Sequence, residues 1–319
     1  NRDRVIDSQM NIISDTEISG FRRSIRWAKD QHVYFYAKFS KPFKSSGIAI
    51  DDEIIENRKT ASGKNIKGFV VYSTTSGESV LVKVGISSVS IEGAKKNLET
   101  ENNTWEFDTL KGKAQQLWED HLSKIDVKGG TDRERRIFYT GLYHTAMAPV
   151  TLNDVDGKYR GVDREIHKVD GFTRYTVWSL WDVFRAQMPL YTILEPSRMN
   201  EYIKTFLQVY KNGGRLPHWE IWGEYSGSMI GHHSLPIILD AYNKNIRDYD
   251  ADLAFKAMKN QVDNTGNYAN MGFLPGGSVS EVMEFSYNDW CIAEMAKQLN
   301  NEKDYQHYLH SSNKCNSYL

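Results

Sequence analysis

"EPSRMNEYIKTFLQVYKNGG", residues 195–214, reads as one helix with both ends written into it. Pro196 stands in the first turn, where a helix has no use for an amide proton, and Gly213 stands where the chain must leave it. The same pattern continues downstream. Further helices fit 229–244, 249–261, 280–299 and 302–311, with no strand-like run between them. About seven helices in series argue for an α-helical domain rather than a βα array. No repeat with a period of about 20–50 residues is present. An antiparallel helical toroid, whose repeats are structural only, fits that pattern.

Just upstream, "SLWDVFRAQMPLY" (179–191) reads as a helix with two stripes. Leu180, Phe184, Tyr191 and Leu194 recur at helical spacing and are expected to face a core. Trp178, Trp181, Asp182 and Arg185 fall at i, i+3, i+4 and i+7, a stripe of two indoles, a carboxylate and a guanidinium. Such a stripe suits the wall of a pocket. Asp182 and Arg185 also satisfy the spacing of a plain intrahelical ion pair, worth a few tenths of a kcal/mol.

The first hundred residues change period. "HVYFYAKFS" (32–40), "GFVVYSTT" (68–75) and "SVLVKVGIS" (79–87) are β-branched and aromatic, and predict strands. The Gly/Ser/Lys-rich segments 41–51 and 58–67 predict loops. Amphipathic, charged helices follow from Ile91. The organisation read from these patterns is a sandwich-like β layer (1–90), a helical linker (91–130) and a helical domain (131–319).

Composition narrows the function. The 40 Lys+Arg nearly balance 41 Asp+Glu, which argues against a nucleic-acid footprint. No apolar run reaches the roughly 20 residues of a membrane-spanning helix. With Cys291 and Cys315 alone there is neither a disulfide framework nor a zinc spacing. Walker, dinucleotide and G-x-S-x-G motifs are absent as well. The aromatic residues gather after residue 138. Tyr and Trp present an apolar face and a polar handle, which suits sugar rings, although large helical cores use them too.

"GGRLPHWEIWGEYSGSMIGHH" (213–233) collects Trp219, Glu220, Trp222, Glu224, Tyr225, His232 and His233 in one Gly-punctuated stretch. Loops that gather such residues on a rigid scaffold are where sites sit. Adjacent His232 and His233 lack the spacing of a helical metal pair, so at least one reads as structural. In "SVSEVMEFSYNDWCIAEMAKQL" (278–299), Glu281, Glu284 and Asn288 share one face. Acids that early also serve a helix start. The combination of aromatics, carboxylates, imidazoles and a guanidinium points to glycoside chemistry, which uses two carboxyl groups across the scissile bond.

The chain resembles the family 92 glycoside hydrolases, calcium-dependent inverting exo-α-mannosidases. "GFRRSIRWAKDQHVYFYAKFSKPF", "VKVGISSVSIEGAKKNLETE", "FYTGLYHTAMAPV", "YTVWSLWDVFRAQMPL", "GGRLPHWEIWGEYSGSMIGHHSLPIILDAYNKNI" and "SVSEVMEFSYNDWCIAEMAKQL" carry the resemblance, in family order, over residues 20–299. It implies an N-terminal β-sandwich joined by helices to an (α/α)6 toroid, with 1–90 the C-terminal part of the sandwich and 131–319 a partial toroid. It also implies a bound Ca2+, mannose-containing glycans as substrates, and a periplasmic, cell-surface or extracellular location. By the resemblance, Trp181, Asp182, Arg185, Trp219 and Glu220 line the mannose pocket, with His232 beside them. The family's sandwich begins upstream of Asn1. Its calcium loop, general-acid segment and base segment follow the "DWCIAEMAK" helix and do not occur here. The resemblance therefore places the catalytic pair beyond Leu319 and implies an internal fragment or a truncated frame, inactive alone. Of the carboxylates present, Glu220 and Glu224 are the remaining catalytic candidates. A non-catalytic carbohydrate-binding homologue is the competing expectation.

Overall fold

Residues 3–263 and 278–314 are described by a computed structural model. They divide into two compact units, Asn1–Met147 with Leu152–Arg160 and Ile166–Asp170, and Ala148–Thr151 with Gly161–Glu165 and Gly171–Leu319. This division sets α-helical segments after residue 90 with the strands, rather than in a separate linker.

In the first unit, β1 (Arg4–Ile12), β2 (Glu17–Ile25), β3 (Gln31–Phe39), β4 (Ser45–Ile50), β5 (Glu53–Glu56), β6 (Thr60–Ser62), β7 (Ile66–Val71) and β8 (Val82–Ser87) form two antiparallel sheets. Their orders are β6-β1-β2-β3-β8 and β5-β4-β7. Ile12, Ile18, Ile48 and Ala61 make their shared core, with Phe35, Phe39 and Val70 packed against it. β4 and β6 lie in segments whose composition predicts loops. Small residues mark close packing there: a Cβ on Gly47 would come 2.6 Å from the Phe69 ring of β7. The strand is poor in β formers because its neighbour's aromatic ring occupies the space.

Three helices also belong to this unit: α1 (Ile91–Glu101), α2 (Phe107–Leu122) and α3 (Asp132–Thr145). Ser90 caps α1 by accepting from the Gly93 amide at 3.0 Å. Gly85 of β8 lets α1 settle on the sheet, where a Cβ would meet the Ala94 carbonyl oxygen at 2.2 Å. Thr131 and Glu134 form a reciprocal capping box at the start of α3. Short ladders follow in chain order, β9 (Val150–Thr151), β10 (Lys158–Arg160), β11 (Ile166–Lys168) and β12 (Tyr175–Thr176), with β10 pairing β11 and β9 pairing β12.

The second unit is helical: α4 (Leu180–Val183), α5 (Gln187–Leu194), α6 (Pro196–Gly213), α7 (Ser234–Asn243), α8 (Ala251–Asp263), α9 (Val279–Gln298) and α10 (Glu302–Ser312). One small hairpin, β13 (Glu220–Ile221) with β14 (Glu224–Tyr225), interrupts it. Tyr202, Ile203 and Phe206 of α6, Leu235 and Ile238 of α7, Met258 of α8 and Ile292 and Met295 of α9 fuse into one buried core. Gly214, at φ 72°, ends α6 in the left-handed conformation, one residue later than expected.

The single two-stripe helix expected over 179–191 is two helices. Pro189 cannot sit in a continuous helix, because its ring would strike the carbonyl of Arg185 four residues back. The chain therefore turns at residues 184–186 and restarts as α5. Trp178 precedes α4, and its ring is fully buried against Tyr202 and Phe206. It is a core residue, not part of a pocket stripe.

Candidate functional site

The hairpin β13–β14 turns tightly through Trp222 (φ 54°) and Gly223 (φ 76°). Positive φ at both central residues matches the twist of paired strands, and a buried carboxylate holds it. Glu220 accepts from the Gly223 amide at 2.7 Å and from the Thr176 hydroxyl at 3.0 Å, while the Arg174 guanidinium lies 3.6 Å away. Glu220 is 0% exposed. Burial pushes its pKa up, against the opposing pull of Arg174. The expectation that Glu220 lines the pocket fails for this reason: its side chain is spent inward, anchoring the loop.

That anchor presents what lies on either side of it. The Trp178 amide donates to the Glu220 carbonyl at 2.8 Å and the Ser226 amide to the Trp219 carbonyl at 3.0 Å. Trp219 and Tyr225 thereby face a cavity of about 220 Å³. Its other described walls include Arg215, His218, His232, Gln261 of α8, and Glu281 and Phe285 of α9. Arg215 lies 4.7 Å over the Tyr225 ring, whose hydroxyl donates to the Arg215 carbonyl at 2.6 Å.

His232 is fixed from both sides. Its amide donates to Asn288 Oδ1 at 2.8 Å, and its Nδ1 lies 3.0 Å from the Gln261 amide nitrogen. Burial, with His218, His233 and Arg215 close by, pushes its pKa down to about 3. At neutral pH it is an uncharged imidazole, a hydrogen-bonding wall rather than a charge. Glu281 lines the same cavity and also closes the capping box with Ser278, accepting from its amide at 2.9 Å. The helix-start reading of Glu281 holds, and its side chain also borders the cavity.

His233 points the other way. Its ring is fully buried, tilted against Phe184 at 4.2 Å between ring centres, with Nε2 2.6 Å from Glu284 Oε2. Glu284, Arg185, Phe184, Ser280, Met283 and Tyr287 line a second, open groove of about 420 Å³. Arg185 contacts Glu284 at 3.4 Å and lies over the Trp181 ring at 5.3 Å and the Phe184 ring at 5.0 Å. The intrahelical pair with Asp182 is replaced by this arrangement. Asp182 is exposed and accepts from the Ser179 hydroxyl.

The expected site residues therefore separate. Trp219 and His232 share the cavity, Arg185 with Trp181 beneath it borders the groove, Asp182 is at the surface, and Glu220 is interior. Glu224 is buried, with Oε1 3.4 Å from Arg164. Neither catalytic candidate among them opens onto the cavity. Residues the sequence did not single out are Arg174, Arg215, His218 and Gln261. His218 was legible as the neighbour of Trp219 in "LPHWE", whereas Gln261 reaches the cavity from a helix with no local signal. Among the described residues no three carboxylate, imidazole or thiol groups are gathered to hold a metal ion.

Residues 1–87 match the family model of the glycosyl hydrolase family 92 N-terminal domain, and residues 93–318 that of the family 92 catalytic domain. A solved family 92 α-mannosidase from Bacteroides thetaiotaomicron is 34% identical, with a TM-score of 0.91, over 96% of this chain and 43% of its own. The same enzyme has been solved with mannoimidazole. A family 92 inverting mannosidase from Bacteroides thetaiotaomicron VPI-5482 is 25% identical, with a TM-score of 0.89, over 96% of this chain and 44% of its own. An uncharacterized secreted glycosidase of Arthroderma benhamiae is 25% identical over 259 residues, 70% of this chain and 29% of that protein. The chain thus spans less than half the length of these relatives. With both domain models matched in order along one chain, the protein belongs to glycosyl hydrolase family 92.

Proposed function

We propose that this chain carries the sugar-recognition part of an α-mannosidase that removes terminal α-linked mannose from mannose-containing glycans. The carrying observation is the cavity wall: the half-buried Trp219 indole beside His218, His232, Gln261 and Glu281. An aromatic face opposite several neutral or acidic hydrogen-bonding groups complements the C–H face and hydroxyl edge of a hexose. In this reading the helices α4–α10 are part of an (α/α)6 toroid, and Arg185 with Asp182 extends recognition beyond the cavity.

The reaction is proposed as inverting, as the name of one solved relative states for that enzyme. It needs a general acid and a general base about 6.5–9.5 Å apart, with water between. Glu220 and Glu224 are committed to Arg174 and Arg164, so the pair is assigned outside the described residues. Calcium belongs to the same proposal, with its ligands also outside them. A periplasmic or extracellular location fits the secreted relative and the absence, among the described residues, of a helix long and apolar enough to cross a membrane.

Tryptophan fluorescence during titration with methyl α-D-mannoside tests the reading. Saturable quenching is expected, and Trp219→Ala should weaken binding by about 1–2 kcal/mol, the loss of a large contact aromatic. Unchanged affinity in a folded Trp219→Ala variant removes the cavity from sugar recognition.

A further inference from the structure

The cavity leaves one buried group with nothing to do. His233 faces away from it, on the far side of the loop. Its ring is wedged between Phe184 and the backbone at Gly231, where φ is +74° and a Cβ would come 2.5 Å from His233 Cε1. It stands at the N-terminal boundary of α7, so its main chain is held as well. An imidazole fixed this way is a rigid anchor. Glu284, from the second turn of α9, is bound to it through Oε2 at 2.6 Å. The other oxygen, Oε1, then has one direction left, and Arg185 Nη2 meets it there at 3.4 Å.

We infer that His233 and Glu284 are positioning residues for Arg185, holding its guanidinium over the Trp181 and Phe184 rings at the rim of the groove. The Arg185 side chain is 59% exposed, and an arginine that open would ordinarily sample many rotamers. At 3.4 Å the ion pair alone is long and weak. The constraint comes from the combination: a carboxylate that cannot turn, two ring faces beneath the cation, and a backbone turn forced by Pro189. A guanidinium bound through one Nη keeps its remaining donors directed outward in a planar fork. Those donors suit the vicinal hydroxyls of a sugar. The choice of ligand rests on the mannoside reading above, whereas the positioning does not.

Two measurements on the full 319-residue chain separate these. The first is 15N relaxation of the Arg185 Nε–Hε group, assigned by its loss in Arg185→Lys. It should be ordered in the unsubstituted chain and mobile in Glu284→Gln, which keeps the side-chain volume at a partly exposed site. His233→Gln should do the same wherever it folds. Equal mobility with and without the Glu284 carboxylate overturns the inference. The second is the affinity for methyl α-D-mannoside. Glu284→Gln should weaken it about tenfold, the scale of a hydrogen bond to a charged group, and add nothing in an Arg185→Met background. An equal loss in both backgrounds overturns the route through Arg185. If Arg185 is ordered by Glu284 but the unsubstituted chain binds no mannoside, the positioning stands and the mannoside reading fails.

Discussion

Glu220 is the residue whose sequence reading and structural role lie furthest apart. A carboxylate next to a tryptophan in a Gly-punctuated loop looks like a ligand group, yet the fold uses it as a buried post for the hairpin. The difference was not legible because its partners, Arg174 and Thr176, lie more than forty positions upstream. Glu220→Ala should cost about 3–5 kcal/mol, since Arg174 loses its counter-charge and the buried Gly223 amide and Thr176 hydroxyl lose their acceptor. Glu220→Gln should cost clearly less, because an amide oxygen still accepts from Gly223. Urea unfolding of both variants checks this, and equal losses would place the whole burden on the charge, which both substitutions remove. His232, by contrast, lines the cavity. Its pKa is depressed when folded, so protons bind the unfolded chain more tightly. Its contribution to stability is full above about pH 6.5, the ordinary histidine value, and falls progressively as pH drops toward about 3. His232→Gln should flatten that part of the stability–pH curve. A curve of unchanged slope would show that His232 is not the group taking up the proton.

At the scale of elements, local chemistry was legible wherever the end signals lie within a few residues of one another. Pro196 and the paired glycines mark α6, and Thr131 with Glu134 marks α3, because caps act within a few residues. In the first unit β3, β7 and β8 were legible from their β-branched and aromatic runs, whereas β1, β2 and β5 were not singled out. β4 was not, since its Ser-Ser-Gly start looks like a loop until Phe69 of β7 is laid against it. The break between α4 and α5 was legible in principle from Pro189, but the apolar spacing of 180–194 outweighed it. Periodicity reports which faces want burial. It does not report whether one helix or two supply them, and here two do.

For the whole molecule, apolar side chains left on the surface decide behaviour in solution. On β8, at one edge of its sheet among the described residues, Val82, Val84 and Ile86 are 51%, 56% and 55% exposed on one face. On α9, Val279, Met283 and Trp290 are 65%, 54% and 40% exposed. Exposed edges with apolar faces invite pairing with other chains. The chain should therefore associate at micromolar concentration and bind a hydrophobic dye, with sedimentation velocity as the measure. Val84→Lys, a charge placed on the edge, should shift the distribution toward monomer. An unshifted distribution would assign association to the α9 face. That helix also has a mechanical meaning. Its first two turns put Glu281 and Phe285 into the cavity and Ser280, Met283 and Glu284 into the open groove. It is a party wall between two rooms, and both take their shape from the same two turns of one helix.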